Sequence, residues 1–213
     1  VNKVSATNPT LTAYTGTYDA TAHTIGVSGG SGGTIQYSTD NSTWSTTKPT
    51  RTAAGTTTVY VRVAGDANHN TTSSVNTKIT INKATPAITL SATSGSVNYG
   101  SSVTFTAKPT STPAINGTWT VTSADTSKVS RTAGNGATAT NNTTTNITYK
   151  GVGATTSAIT ITIKFTPSDT TNYNSTSKTY SFTPKGRTYT ITYSKGTGVS
   201  AIGSTSASFT TVG

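Results

Sequence analysis

Cysteine is missing from all 213 residues, which excludes a disulfide framework and any thiolate metal site. Stability therefore has to come from packed cores. Glutamate is missing too, so the five acidic side chains are all Asp. Acid–base catalysis usually needs paired carboxylates or a His held by a partner, and only two His are present. Asp19 and His23 are close in sequence, yet on an extended chain they stand roughly 13 Å apart. There is no GxSxG word and no Gly-rich phosphate loop ahead of a helix. An enzyme is not expected, and no catalytic residue, cofactor or metal is assigned. Runs of about 18 apolar residues are also lacking, so no membrane insertion is expected within this stretch. Val1 begins mid-pattern without a signal peptide, as expected of a piece cut from a longer array.

Negative charge is scarce, and 15 Lys and Arg leave a formal charge of +10. Such a field attracts polyanions, including nucleic acid, anionic cell-wall polymers and sulfated or sialylated glycans. The basic residues are spread almost evenly, from Lys3 through Arg62, Lys108 and Lys150 to Lys195. Nucleic-acid binders gather them into a stripe or along a helix, and no helix-period pattern is visible. Solvated surface charge is the plainer reading, and no specific nucleic-acid partner is expected.

What the chain does hold is Thr, its commonest residue, and ten Tyr. Both favour strands, so a composition with only 31% apolar and 9% charged residues reads as folded β-structure with a polar outer face. The organising stretch is 65–86, GDANHNTTSSVNTKITINKATP. Its layout returns at 168–186, SDTTNYNSTSKTYSFTPKG, with Asp66, Asn68, His69 and Asn70 answered by Asp169, Asn172, Tyr173 and Asn174. Val1-Asn2-Lys3 repeats the tail Ile81-Asn82-Lys83 once more. Three endings imply two complete units, about 80 and about 100 residues long, which suits small sandwiches. The expected division is 1–3, the tail of a preceding repeat; 4–83, the first sandwich; 84–185, the second; and 186–213, a truncated third repeat or tail. The fold class is all-β, two tandem Ig-like β-sandwiches plus a short C-terminal β segment.

In the first unit, 10–14 and 23–27 are expected strands, with turn chemistry at 16–19. The run SGGSGG at 28–33 reads as a loop within one domain, and Asp40-Asn41 as a hairpin turn between 34–38 and 43–46. TTVYVRVA at 57–64 is the strongest strand, with Val59, Val61 and Val63 on one face, and 74–81 closes the domain. In the second unit Ile88, Leu90, Val103 and Phe105 alternate inward, Trp119 and Val121 mark a further strand, and 133–145 is looser. AITITIKF at 158–165 stands where TTVYVRVA stands relative to the repeated turn. Lys78 and Lys178 are expected on or near sheet edges, where they would discourage edge pairing.

The words YTGTYDATAHTI, QYSTDNSTW, KPTRTAAGTTTVYVRVAGDANHN and ITINKATP, in this order, resemble the tandem Ig-like repeats of bacterial surface proteins. ATPAITLSATSGSVNYGSSVTFTAK resembles the opening of another bacterial Ig-like domain, and YTITYSKGTGV resembles the start of short repeats in similar proteins. His69 departs from the Tyr common at that position in such repeats. The resemblance implies an extracellular β-sandwich in a stalk or adhesin-like array, on a bacterial surface or secreted.

Residues 66–70 superficially resemble the Asp/Asn linkers by which cadherins bind calcium, but they offer one carboxylate where calcium takes six to eight oxygens, usually several of them carboxylates. Capping of a tight turn explains them without an ion. A Lys–Asn cross-link of the kind found in some surface Ig-like domains needs a buried Lys, an Asn and an acid together, and the scattered Asp argue against it. For a glycan, Trp119 and Trp44 are the candidate stacking faces, with Tyr189 and Tyr193 next. Each indole also suits a sandwich core, and the core reading is preferred for both.

The expected role is a structural stalk serving adhesion, monomeric, with neighbouring repeats of the same polypeptide as partners. The alternatives are a module binding host glycan or anionic cell-wall polymer, and an accessory domain of an extracellular hydrolase. Short linkers at 83–86 and 183–187, with Pro86 and Pro184, are expected to restrict bending.

Overall fold

The computed structural model describes residues 2–192, 194, 196–198 and 206–210, all in strands, turns and loops. The fold is all-β: two Ig-like sandwiches and a short C-terminal hairpin. The chain divides into unit 1, Val1–Thr85 with Asp169–Asn174, and unit 2, Pro86–Ser168 with Ser175–Gly213.

Unit 1 contains β1 (Val4–Ser5), β2 (Thr10–Thr12), β3 (Tyr14–Thr17), β4 (Gly26–Ser28), β5 (Gly33–Ser38), β6 (Gly55–Gly65), β7 (His69–Asn70) and β8 (Val75–Asn82). The main sheet has the order β3-β8-β6-β5, and the pair β2-β4 carries Leu11 and Val27 against the core. In β6 the period of two puts Val59, Val61 and Val63 inside at 0% exposure, with Tyr60 and Arg62 on the opposite face. Val59 and Val61 form the buried cluster with Ile79 and Ile81 of β8 and with Ile25. Full burial of each such side chain contributes about 1.5–3 kcal/mol, which lets a short sandwich hold without cross-links. The turn at Asp40-Asn41 forms as its residues demand. Asn41 takes φ 59°, and the Asp40 carboxylate accepts the N–H groups of Ser42 and Thr43 at 2.8 Å. Beyond it only Ser45 pairs back, with Tyr37. Within the Gly-rich run 28–33, residues 29–32 are a loop within unit 1 between β4 and β5, fastened by pairing of Ser31 with Thr7.

Unit 2 contains β9 (Ala87–Leu90), β10 (Ser94–Asn98), β11 (Ser102–Thr110), β12 (Gly117–Ser123), β13 (Val129–Ala133), β14 (Thr138–Ala139), β15 (Thr145–Gly151), β16 (Ile159–Pro167) and β17 (Thr176–Lys185). A five-stranded sheet, β10-β17-β16-β12-β14, faces a four-stranded one, β13-β15-β11-β9. The ring of Phe105 from β11 stacks on that of Tyr180 from β17 at 3.9 Å, and Tyr149 of β15 meets Phe182 at 6.4 Å. These aromatics close the space between the sheets. The C-terminal hairpin pairs β18 (Thr188–Thr192) with β19 (Ser206–Thr210).

The two units share a sheet plan. In each, one long strand (β6, β16) lies between the last strand (β8, β17) and a third (β5, β12), all antiparallel. In each, an early strand is added outside the last one in parallel, β3 on β8 and β10 on β17. That addition corrects one expectation: residues 16 and 17 end β3 where a turn was expected. Lys78 and Lys178 lie on β8 and β17 outside the stretches paired with β3 and β10, which begin at Ile79 and Ser181, so each is paired on one side only and stands near a sheet edge as expected. Lys178 Nζ donates to the Ile88 carbonyl at 3.1 Å. The expected strand 23–27 is also shorter: β4 starts at Gly26, and His23 makes an isolated bridge to Arg51.

Candidate functional site

The five Asp side chains all do one kind of work. Each accepts the backbone N–H two residues on: Asp19 from Thr21 at 2.9 Å, Asp40 from Ser42 at 2.8 Å, Asp66 from Asn68 at 2.8 Å, Asp125 from Ser127 at 2.9 Å and Asp169 from Thr171 at 3.1 Å. The hydrogen bonds that each carboxylate receives hold it below its ordinary range: Asp19 to about 2, through the Thr21 hydroxyl first and the Thr21 N–H next, Asp40 through the Thr43 N–H first, Asp66 through the His69 side chain, Asp125 through the Ser127 hydroxyl and Asp169 through the Asn172 carboxamide. Closing turns leaves none of them poised as a proton shuttle.

Asp19 and His23 nevertheless meet, against the distance expected from an extended chain. Ala20 takes φ 64°, the chain bends at 20–21, and His23 Nε2 lies 3.0 Å from both Asp19 oxygens. Thr21 Oγ1 is 2.9 Å from the same Nε2 and 2.7 Å from Asp19. Hydroxyl and carboxylate thus converge on one nitrogen. A relay would need them on opposite nitrogens of the ring, so the cluster is a surface clasp. Tyr14 stacks on the His23 ring at 4.3 Å and holds it in place.

The two indoles differ. Trp119 is 0% exposed and packs on Phe165 at 4.9 Å within the unit 2 core, so it offers no face to a ligand. Trp44 is half-buried, and the Arg62 guanidinium sits 4.2 Å from its ring centroid. Gln36 Oε1 fixes that guanidinium by accepting from Nε at 3.0 Å and Nη2 at 2.9 Å. One face of Trp44 is thus already covered by a cation. Tyr193 lies outside the described residues. Tyr189 is 41% exposed on β18 and stacks with Phe209 of β19 at 5.5 Å. Arg187 places its guanidinium 4.7 Å from the Tyr99 ring and 5.8 Å from that of Tyr189. This exposed group was only half legible in the sequence, because Tyr99 and Phe209 reach it by non-local pairing.

Two polar hollows accompany these groups. One, of about 200 Å³, is lined by Ser123, Thr126, Val129, Ser130, Arg131 and Tyr149. The other, of about 360 Å³, is lined by Ser5, Ala6, Asn8 and residues 70–73. The first is smaller than ordinary ligand pockets of about 300–1,000 Å³, and neither has the apolar lining such pockets show.

The repeated Asx loops each carry a docked tail. At the first, Lys3 Nζ donates to the Asp66 carbonyl at 2.9 Å, Val4 N–H to the Asn68 carbonyl at 2.9 Å, and Val4 pairs in parallel with His69. At the second, Lys83 Nζ donates to the Thr170 carbonyl at 2.6 Å, Ala84 N–H to the Asn172 carbonyl at 2.9 Å, and Ala84 pairs in parallel with Tyr173. The Asp66 carboxylate is engaged by Asn68 N–H and His69 Nδ1, which accounts for this loop without an ion.

No protein-family model matches the chain, and no curated protein matches it. Among solved structures, domains 4 and 5 of the S-layer protein SbsC are similar at 18% identity over 70% of this chain and 74% of that one, with a TM-score of 0.36. The D00-D0 domain of intimin is similar at 14% identity over 81% of this chain and 99% of that one, TM-score 0.34. Fibronectin(III)-like modules of Clostridium thermocellum CbhA are similar at 11% identity over 83% and 93%, TM-score 0.35. The chain spans 28% of the longer rSbsC(31-844) structure. At such values, function has to be argued from this chain's own residues.

Proposed function

We propose that this chain is a structural spacer of a bacterial cell-surface or secreted protein, with Ig-like units at 4–83 and 84–185 that hold an adhesive part away from its base. The observation that carries this reading is strand polarity. An early strand runs parallel to the last one in each unit, over four register pairs in β3–β8 and five in β10–β17. In a parallel pair the chain enters at one end of the first strand and leaves at the opposite end of the second. Tension along the chain slides such strands past each other and loads all their hydrogen bonds together. A pair pulled from the same end would lose them one at a time.

Other features agree with that role. The strands are Thr-rich on their outer faces, the carboxylates close turns, and the large rings of unit 2 fill its core. The sequence words shared with surface repeats support an extracellular setting, with neighbouring repeats as the partners. The test is force–extension of the full chain held at its two ends. The expected record has two separate unfolding events, each releasing roughly 300 Å of chain. Gradual lengthening at low force, with no discrete event, would reject the spacer.

A second reading is favoured by one observation. Tyr99, Tyr189 and Phe209 are exposed by 41–48% around Arg187, a group that suits stacking on a sugar ring or contact with an anionic polymer. A glycan array with the full chain and its Tyr189→Ala variant tests it.

A further inference from the structure

The loops at 66–70 and Asp169–Asn174 are two copies of one device, and only one of them is filled. Their docked tails match in the Lys bond and the N–H bond that follows it, whereas Ala6 N–H donates to the Asn70 carbonyl at 3.3 Å at a place where the second tail has Pro86 and no N–H. Beyond the tail, the second copy has further partners within unit 1. Asn172 Oδ1 accepts the Ala54 N–H at 2.8 Å, and the Tyr18 ring meets Tyr173 edge-on at 5.3 Å. Tyr173 is left only 5% exposed. At the first copy the corresponding groups stand open. Among the described residues the Asn68 carboxamide makes no hydrogen bond and no ring lies against the His69 side chain, which is 34% exposed. Val4, in the place of Ala84, is 65% exposed, the most exposed large apolar side chain in the described part of the molecule.

We infer that residues 66–70, with the β1 strand docked on them, form a socket for a second copy of residues 4–83, whose Tyr18–Ala54 face has no 169–174 loop of its own on it. That copy would set its Tyr18 ring against His69 and donate its Ala54 N–H to Asn68 Oδ1. The occupant follows from the complementarity of the two surfaces. The Tyr18–Ala54 face is the surface that this kind of loop already engages, and Asn and an aromatic ring recur at the matching positions. His69 in place of Tyr173 keeps a flat ring there, with Asp66 Oδ1 accepting from Nδ1 at 2.8 Å and fixing its plane. Gly32 backs the ring: a Cβ there would lie 2.8 Å from His69 Cδ2. The outer side of the ring is thereby left for a partner. The inference deepens the spacer reading, since it supplies the joint by which like units would follow one another.

The experiment extends the full chain at its N-terminus with a copy of residues 1–80, so that Val1-Asn2-Lys3 takes the place that Ile81-Asn82-Lys83 has at the end of β8. Linking raises the effective concentration, as a weak contact requires. Amide hydrogen exchange then reads Ala54 in the added copy, with its Val61 amide reporting whether that copy is folded. The socket predicts exchange at Ala54 at least about tenfold slower than in the same extended chain carrying Asn68→Ala. Equal exchange at Ala54 in the two, with Val61 protected, would overturn it. If the added copy does not fold, Tyr173→His in the original chain decides. The socket requires Ala54 to stay protected beside a His, and loss of that protection would reject it. Failure of the socket leaves the β3–β8 and β10–β17 pairings untouched, so the spacer reading fails only by its own mechanical test.

Discussion

Asp40 accepts the backbone N–H of Ser42 at 2.8 Å, and the same two-residue closure occurs at every carboxylate of the chain. Turn formation and acid sensitivity are therefore coupled. The protonated carboxyl is the weaker acceptor, and each of these groups has its pKa lowered by the bonds it receives.

The first prediction concerns pH. A carboxyl with a depressed folded pKa contributes stability that is complete above its unfolded value, near 4, and is lost as pH falls through the folded one. The melting temperature should be flat from pH 7 to 5 and decline from about pH 4 down through about 2, the value at Asp19. Melting curves by circular dichroism check this, and Asp40→Asn should flatten part of the decline. A melting temperature that rises on acidification would contradict it.

The two indoles should separate cleanly. Trp119→Ala removes the largest fully buried side chain and should cost about 3–5 kcal/mol, whereas Trp44→Ala gives up a surface cation–π contact and should cost about 1 kcal/mol. Urea unfolding of unit 2 against unit 1 measures both. Acrylamide should quench the emission of Trp44 in the folded chain and leave Trp119 shielded.

Gly32 holds φ +85°, and an added Cβ would approach the Ala6 backbone at 3.0 Å as well as the His69 ring. Gly32→Ala should destabilise unit 1 by more than about 1 kcal/mol, because both the conformation and the space exclude a side chain. Thermal unfolding gives the number. Gly136→Ala, where φ is +74° but nothing lies within 4 Å, separates the conformational part from the steric one.

If the exposed rings around Arg187 bind a polymer, Tyr189→Ala should lower binding while leaving both sandwich cores folded. Binding that weakens with salt alone, and equally in the variant, would instead trace to the +10 charge.

The strand cores were legible because they follow local rules. Val59, Val61 and Val63 alternate, and Asp40-Asn41 is turn chemistry, so both formed as the sequence implied. The likeness of 158–165 to 57–64 was also real, since β16 and β6 hold the same place in their sheets. What local pattern could not carry was pairing between distant strands. The parallel additions of β3 on β8 and of β10 on β17 are such pairings, and nothing in the residues near them signals it. Asp19 and His23 met because Ala20 adopted a left-handed conformation, for which Ala has no preference. Trp44 lies in a word typical of structural repeats, yet its partner Arg62 is set by the β5–β6 register.

The absence of cysteine allows the most direct test of the spacer, because introduced thiols are unique handles. In unit 2, Ser94 and Ser181 are register partners at one end of the β10–β17 pair, and Lys185 lies at the other end opposite Asn98. Handles on Ser94→Cys and Lys185→Cys load the pair in shear, and handles on Ser94→Cys and Ser181→Cys peel it. Single-molecule pulling should give a severalfold higher unfolding force in the first geometry than in the second. Equal forces in the two geometries would contradict a fold arranged to carry tension.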